Sequence, residues 1–395
     1  MTRLAAIGAA LMGAAVLASC SASPRAGLPA PAPGSWADEP IRGVWVTRWD
    51  YRTEGDVARA MHDIRSLGVT DVFWQVRGQA DAFYPSHLEP WAEEMLDAEG
   101  NPPAFDPLAI AVREAHANGL RIHAWINAMP LWRGTTPPKN PDHPFHAKPQ
   151  WRLTDPSGEL QPLNDHYVIV NPLRRDVRDH LVAVGRDLVT RYNIDGLHLD
   201  YIRFVTDAMD TSRTYPAGDS ARALLRERTG SDTLDTPEQR QALRDLIEES
   251  ITRVVERMDR EAAGARDGVM LTAAVWRRPD LARDQYEQAA ADWANRGVVD
   301  AVIPMIYTTD HERFGSDLAA WRAECPDARI VPGVGIYKHD HGDLFRAQSE
   351  HPEFVAFAYS SMFTSRASDQ EPSPRTLAER VSLRRAVRER AEPDR

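Results

Sequence analysis

Apolar residues occur in short runs along this chain, and stretches with helical spacing separate one run from the next. Runs of four to eight residues rich in β-branched and aromatic side chains are typical of buried strands. Eight strands are predicted: Gly43–Thr47, Asp71–Arg77, Arg121–Asn127, Gly196–Tyr201, Met270–Trp276, Ala301–Tyr307, Ile330–Tyr337 and Phe354–Ser360. Amphipathic helices are predicted near 54–67, 107–118, 174–191, 221–263, 281–296, 314–324, 340–350 and 373–392.

Eight strands that are each followed by a helix predict an α/β fold, a (β/α)8 TIM barrel with long βα loops. The alternative is a doubly wound open sheet. That fold would need a glycine-rich phosphate loop after an early strand, and the sequence contains neither G-x-G-x-x-G nor a P-loop.

The strand at 195–201 carries the strongest functional signal, because its residues alternate with a period of two. Leu197 and Leu199 fall on one face, and His198 and Asp200 fall on the other. Side chains at the C-terminal ends of barrel strands form the active sites of TIM-barrel enzymes, so Asp200 is the first candidate for a catalytic carboxyl group. The alternative is that an Asp at this position caps the next helix.

The other strands are predicted to bring further polar and aromatic side chains to the same end of the barrel. The ring of strand ends comprises Arg77, Asn127, Asp200, Trp276, Tyr307 and Tyr337. The remaining predicted substrate-binding residues are Gln75, Asp81, His123, Trp125, His198, Tyr201 and Arg203. Aromatic faces stack on sugar rings and guanidinium or amide groups bind sugar hydroxyls, so the set favours a glycan site. For each aromatic residue alone, core packing is the alternative.

The connection between the third and fourth strands is unusually long, about 40 residues where a few would suffice. Such loops on the C-terminal face of a barrel build substrate walls. His143, His146 and His166 lie here, but their spacing fits no strong zinc template, so no metal is predicted. No other cofactor is predicted.

The N-terminal region is predicted to be a lipoprotein signal peptide, residues 1–19, followed by a lipidated Cys20. Arg3 precedes an apolar run that ends in Leu17-Ala-Ser-Cys20, which resembles a bacterial lipobox. Residues 20–40, rich in Pro and Ala, are predicted to form a flexible tether. The barrel is expected at 41–365, and a C-terminal helix and polar tail at 366–395.

The composition restricts the kinds of molecule that the protein is expected to bind. The net charge is −11 and the chain has no basic run, which argues against nucleic acid. A polysaccharide is the expected partner, together with a membrane reached through the Cys20 lipid. The second cysteine, Cys325, leaves no intrachain disulfide once Cys20 is lipidated. The expected location is the cell envelope, on the periplasmic face of the outer membrane if the source is Gram-negative.

Several blocks of the sequence, in this order, resemble a known family. They are Arg42-Gly-Val-Trp-Val-Thr47, Gln75-Val-Arg77, Asp81-Ala-Phe-Tyr-Pro-Ser86, Asp106-Pro-Leu108, Ala115-His116, Gly119, His123-Ala-Trp-Ile-Asn127, Asp195-Gly-Leu-His-Leu-Asp-Tyr201, Asp300-Ala-Val-Ile-Pro304, Ile306-Tyr307 and Gly333-Val-Gly-Ile-Tyr337. Over about residues 41–365 the chain is similar to the glycosyl hydrolase-like family 10 lipoproteins of bacterial envelopes. The resemblance implies a (β/α)8 barrel acting on glycans. Some members are associated with cleavage of peptidoglycan strands stripped of their stem peptides.

Two departures from the family pattern fall at the predicted site. Met305 stands where similar sequences have Gln, and the segment 128–133 stands where they have Pro-Tyr-Arg after the third strand. Substrate preference therefore carries over less directly than the fold does.

Hydrolysis of a glycoside normally needs two carboxyl groups. Asp200 is the first, and Asp310 is predicted to be the second, ahead of Asp81 and Asp50. Asp195 begins its strand and is expected to be structural, at the bottom of the barrel. Two alternatives stay open, because a fold does not determine a function: a non-catalytic glycan-binding lipoprotein, and an envelope scaffold that contacts a protein partner.

Overall fold

The computed structural model describes residues 39–205, 213–339, 351–367 and 375–391, with the single positions 342, 345 and 348. The strands are β1 Arg42–Val46, β2 Asp71–Arg77, β3 Arg121–Asn127, β4 Pro130–Gly134, β5 Asn164–Ile169, β6 Gly196–Asp200, β7 Met270–Val275, β8 Ala301–Pro304, β9 Gly333–Val334 and β10 Phe354–Phe357. The helices are α1 Glu54–Arg65, α2 Pro107–Ala117, α3 Pro144–Ala147, α4 Arg175–Arg191, α5 Asp219–Thr229, α6 Pro237–Arg257, α7 Pro279–Tyr286, α8 Ala290–Asn295, α9 His311–Glu324, α10 Tyr359–Met362 and α11 Leu377–Ala391.

Eight strands form one parallel sheet in the order β8-β7-β6-β3-β2-β1-β10-β9. Two isolated parallel bridges, Val302 to Ile330 and Met305 to Gly333, join the last two edges. Read around this closure, the eight strands follow one another in chain order, so the predicted barrel fold is confirmed. The predicted strand Ile330–Tyr337 is shorter than expected, because only Gly333–Val334 forms a regular strand and Ile336–Lys338 form a 3₁₀ turn.

Apolar side chains pack in two separate layers. A small cluster fills the interior of the barrel: Ile41, Trp45, Phe73, Trp125, Met270, Ala301, Ile303, Val331 and Val355. A much larger cluster lies between the sheet and the surrounding helices and includes Val44, Trp74, Ile122 and Leu197. The period-two alternation of each strand divides its residues between these layers. Within the described ranges, no helix is both long and apolar enough to cross a bilayer.

The long connection after β3 contains structure of its own. Strands β4 and β5 pair in antiparallel fashion, with Trp132 opposite Val168, and the short helix α3 lies between them. The resulting hairpin lies beside the C-terminal ends of the barrel strands, because the backbone N–H of Val170 donates to Met129 O, just past β3. Its sequence has no clear alternation, so it was not predicted.

Two of the predicted helices are each divided into two helices in the structure. The stretch 221–263 breaks after α5 at Gly230, whose φ of +77° suits glycine, and α6 restarts with a Thr236 capping box and Pro237. The stretch 281–296 breaks between α7 and α8 at Glu287, which has a φ of +45°. Most of the predicted helix 340–350 lies outside the described residues.

The bottom of the barrel is held by carboxylates at strand starts, as expected for Asp195. Its Oδ2 accepts from the backbone N–H of Ile122 at 2.8 Å and lies 2.9 Å from Nε2 of His116. These contacts tie β6 to β3 and α2, at the end of β6 opposite Asp200.

Gly196→Ala should destabilise the barrel by about 1–3 kcal/mol, because a Cβ at position 196 would lie 2.1 Å from Nδ1 of the buried His123. Gly315→Ala is the matched control, since Gly315 is an exposed position on helix α9 with nothing within 4 Å of the added Cβ. That change should be neutral or stabilise by up to about 1 kcal/mol. Urea unfolding of both variants measures the difference, and equal midpoints would contradict the close approach of His123.

Candidate active site

One cavity of about 490 Å³ opens at the C-terminal ends of the barrel strands. We call it the barrel cavity, and its lining residues are Trp45, Thr47, Arg48, Trp49, Gln75, Trp125, Asn127, Tyr167, Asp200, Tyr201, Arg203, Ala274, Trp276, Arg277, Met305, Tyr307 and Phe357. Eight of the predicted site residues are therefore brought together: Gln75, Trp125, Asn127, Asp200, Tyr201, Arg203, Trp276 and Tyr307.

Asp200 is the last residue of β6, and its side chain points into the cavity while remaining 7% exposed. The backbone N–H of Tyr201 donates to Oδ1 at 2.6 Å, and Nη1 of Arg203 lies 3.7 Å from the same oxygen. Burial raises the pKa of Asp200 above its ordinary value, and Arg203 and the Tyr201 N–H offset this only in part. A carboxyl group in this state can hold a proton at higher pH than an exposed Asp, which suits a general acid.

One wall of the cavity is an aromatic cage around Arg203. Its guanidinium carbon lies 4.3 Å from the ring centroid of Tyr201 and 5.4 Å from that of Trp276. Trp276 in turn packs on Tyr286 with a centroid distance of 4.3 Å. Trp276 therefore presents a fixed aromatic surface to the cavity.

A second aromatic group lies across the mouth. Tyr307 stacks on Phe357 at 5.5 Å and meets Tyr337 edge-on at 6.0 Å. Burial, with the nearby Asp200 charge, raises the pKa of Tyr307 well above its ordinary value, so its hydroxyl stays protonated. Tyr337 does not line the cavity but is 45% exposed beside it, as part of the rim.

The two predicted histidines lie below the cavity instead of lining it. The Trp45 indole N–H donates to Nε2 of His198 at 3.1 Å, so the proton of His198 is on Nδ1, 2.9 Å from Oγ1 of Thr272. Burial, with His123 nearby, lowers the pKa of His198 well below its ordinary value, so the ring is neutral. His123 lies 3.0 Å from the Asp71 carboxylate at the bottom of the barrel. Both histidines position the floor of the site.

Arg77 does not lie at the mouth, contrary to prediction. The register of β2 shifts between Gln75 and Arg77, so the period-two rule fails at this residue. Its guanidinium forms a buried ion pair with Glu89 at 2.7 Å, and Glu89 also contacts His180 of α4 at 2.9 Å. Arg77 therefore fastens the top of β2 to the helix layer.

The predicted second carboxyl groups do not reach the cavity either. Asp310 is exposed and caps α9, where its Oδ1 accepts from the Arg313 N–H at 3.0 Å. Asp81 is buried and accepts from the backbone N–H groups of Gly78 and Gln79. Asp50 accepts from Thr47 and Ser365. Among the described residues that line the cavity, Asp200 is the only carboxylate.

Several lining residues were not predicted as site residues. Trp45 of β1 and Thr47, the residue directly after β1, both line the cavity, and their spacing of two is the alternation that predicted Asp200. Arg48 and Trp49 follow directly on the next loop, and the Arg48 guanidinium carbon lies 4.5 Å from the Trp49 ring centroid. Tyr167 belongs to β5 of the hairpin that was not predicted, and its ring centroid lies 5.1 Å from that of Tyr201. Cys20 lies outside the described residues. In the part of the chain that the structure describes, no cluster of three His, Cys, Asp or Glu residues could hold a metal ion.

A sequence model of the glycosyl hydrolase-like 10 family matches residues 40–340. The chain belongs to this family. Glycosyl hydrolase DigH of Escherichia coli strain K12 is 26% identical over 82% of this chain and 81% of its own length. Glycosyl hydrolase YngK of Bacillus subtilis is 27% identical over 42% of this chain and 33% of its own length. Membership in the family supports a hydrolase that acts on carbohydrate.

Solved structures agree with the barrel fold of this glycosyl hydrolase-like 10 protein. The glycoside hydrolase domain of PgaB (BpsB) from Bordetella bronchiseptica superimposes with a TM-score of 0.60 at 12% identity, covering 83% of this chain and 98% of that domain. An α-L-fucosidase from Paenibacillus thiaminolyticus superimposes with a TM-score of 0.58 at 13% identity, covering 90% of this chain and 50% of that one. At these identities the likeness is one of fold.

Proposed function

We propose that this protein is an envelope-anchored glycoside hydrolase that cleaves peptidoglycan glycan strands, with strands stripped of their stem peptides as the preferred form. The main support is the position of Asp200, a buried carboxyl group at a strand end in a cavity lined by Trp276, Tyr307 and Trp49. Family membership and the names of the curated relatives support hydrolysis of a glycan.

In the proposed reaction, Asp200 gives its proton to the leaving oxygen as the bond between that oxygen and the anomeric carbon breaks. A water molecule then adds to the anomeric carbon and returns a proton to the Asp200 carboxylate. Its raised pKa keeps a fraction of the group protonated above the ordinary Asp range, where an exposed Asp would be ionised. The Trp276 face holds a sugar ring by stacking, and the protonated Tyr307 hydroxyl is available as a donor beside Asp200. The Trp45–His198–Thr272 chain holds the floor rigid beneath them.

The direct test is mass spectrometry of glycan strands, with and without stem peptides, after incubation with protein that lacks residues 1–20. The proposal expects shortened oligosaccharides from the stripped strands. Unchanged chain lengths in both preparations would refute hydrolysis.

The proposed location depends on Cys20. A lipid on its sulfur, followed by about 20 tether residues that reach roughly 65 Å when extended, would hold the barrel near the cell wall. Cys20→Ala should therefore move the protein from the membrane fraction to the soluble fraction and remove the mass of the lipid. Fractionation and intact-mass measurement check this, and a variant that stays with the membrane at unchanged lipid mass would contradict the anchor. Cys325→Ala, a buried position, is the control for loss of a thiol.

A second candidate function is glycan binding without turnover. It is favoured by the observation that Asp200 is the only carboxylate among the described residues lining the cavity. Oligosaccharides that bind but remain intact in the same experiment would favour this function.

A further inference from the structure

The charge of the barrel cavity contrasts with that of the chain. The chain is acidic, with a net charge of −11, yet the described lining residues include three guanidinium groups and one carboxylate. Arg277 is paired with Asp317, outside the lining. Arg48 lies 3.9 Å from Glu94, which is also outside the lining, so Arg203 and Asp200 are the charged pair within the cavity. Because burial raises the pKa of Asp200, the cavity carries a net positive charge on Arg203 whenever Asp200 holds its proton. Such a cavity favours an anionic ligand over a neutral one.

Arg203 is the lining residue whose hydrogen-bond donors most clearly lack acceptors. Its side chain is 3% exposed, and its Nε and Nη1 are buried without any hydrogen-bond partner. The 3.7 Å separation from Asp200 is too long for a hydrogen bond. The rings of Tyr201 and Trp276 hold the cation in place but offer no lone pair in its plane. A buried donor without an acceptor destabilises the free protein. Because these two nitrogens have almost no accessible surface, a ligand acceptor relieves that cost when the guanidinium turns towards the cavity that Arg203 lines.

Arg48 adds to the positive potential but is better compensated. Its Nε and Nη1 also lack hydrogen-bond partners, and Glu94 lies 3.9 Å away. Burial would lower the pKa of Arg48, but Tyr167, Glu94 and Asp81 together raise it, so the side chain stays charged. Because two carboxylates already share its charge, Arg48 is the weaker candidate for direct contact.

We propose that the barrel cavity receives a sugar unit that carries a carboxylate, and that Arg203 binds this carboxylate. The inference rests on the proposed glycan hydrolysis and names the chemical group that selects the substrate. A planar carboxylate matches the two-donor edge of a guanidinium, and charge-assisted pairs of this kind are stronger than neutral hydrogen bonds. Two kinds of sugar supply the group: a muramic acid unit through its lactyl ether, and a uronic acid through C6.

The proposal gives a physical reason for a preference for stripped strands. A stem peptide is attached to muramic acid through an amide at the lactyl carboxyl group, so the carboxylate is free only after the peptide has been removed. An intact stem would bring a neutral amide to Arg203, and Arg203 would lose the charge-assisted pair with the ligand.

The test is calorimetric binding to the full chain in detergent, with three disaccharide probes. They are a muramic acid disaccharide with a free carboxylate, the same disaccharide with that carboxylate converted to a methylamide, and a uronic acid disaccharide. Wild type should bind the free muramic acid form about 10- to 100-fold more tightly than its amide. Arg203→Gln should reduce this ratio to within about 3-fold, whereas Arg113→Gln, an exposed position on α2, should leave it unchanged.

The outcomes test the carboxylate site at Arg203 separately from the proposed hydrolysis of glycan strands. Equal affinity of wild type for acid and amide would overturn it even if glycan strands are cleaved. An acid preference that Arg203→Gln leaves intact would overturn the assignment to Arg203, and so would equal weakening of both forms, which would mean that Arg203 serves only Asp200. Preference for the uronic acid alone would support a carboxylate site but point away from peptidoglycan.

Discussion

Asp200→Asn is expected to lower the rate of glycan cleavage by about 10²–10⁴-fold while the protein stays folded and still binds its glycan. The substitution keeps the shape of the side chain and removes its transferable proton. Binding should survive because the stacking surface of Trp276 and the hydroxyl of Tyr307 do not depend on that proton. Turnover on stripped strands and a melting curve for each protein measure the two effects.

Asp195→Asn is the matched control, because it lies on the same strand at the opposite end. It should lower the melting temperature, since the Ile122 N–H and His116 lose a charged partner, and leave turnover per folded molecule within a few fold. If Asp200→Asn hydrolysed at the wild-type rate, the catalytic assignment would fail.

Glu89→Gln should destabilise the protein by about 3–5 kcal/mol, because the Arg77 charge would remain buried without its partner. Affinity for glycan should change little, since Arg77 and Glu89 do not line the barrel cavity. Denaturant unfolding and calorimetric binding on the same sample measure both. Glu114→Gln is the surface control, where the pair with Arg113 is exposed and worth at most about 1 kcal/mol.

The effect of Glu89→Gln should depend on pH. Although burial alone would raise it, Arg77 and His180 lower the pKa of Glu89 from its ordinary 4.5 to about 2. A carboxyl group whose pKa is lower in the folded state stabilises the protein above its unfolded pKa. The difference in the free energy of unfolding between wild type and variant should therefore be largest at neutral pH and shrink as the pH falls from about 4.5 towards 2.

A loss of glycan affinity in Glu89→Gln with unchanged stability would instead favour Arg77 as a sugar ligand.

The barrel could be predicted from sequence because its signals are local. Alternation on each strand and the helix that follows it are properties of a few neighbouring residues, and they placed Asp200, Trp276 and Tyr307 correctly at one end. The same alternation, continued one residue past β1, also includes Trp45 and Thr47, which line the cavity but are not among the predicted site residues.

The remaining site residues depended on features that alternation does not encode. Arg77 was misplaced because a shift in the register of β2 reverses the direction of its side chain. Asp310 was misassigned because α9 begins at His311, earlier than predicted, and an Asp before a helix is a favoured N-cap. Tyr167 reaches the cavity only because β4 and β5 pair across a long loop, a non-local contact.

The sequence prediction and the structure differ most over the second catalytic carboxyl group. None of Asp310, Asp81 and Asp50 lines the cavity. The segment 206–212, which contains Asp207 and Asp210, lies outside the described residues. Among the described residues, Asp200 is therefore the carboxyl group on which the proposed reaction depends.

The most direct measurement of that central claim is a crystal structure of Asp200→Asn with a stripped glycan fragment bound. The glycan is expected to occupy the barrel cavity, with one sugar against Trp276 and a glycosidic oxygen within about 3 Å of the side chain at position 200. A glycan bound elsewhere on the barrel, or one whose glycosidic oxygens all lie beyond hydrogen-bonding reach of that side chain, would contradict it.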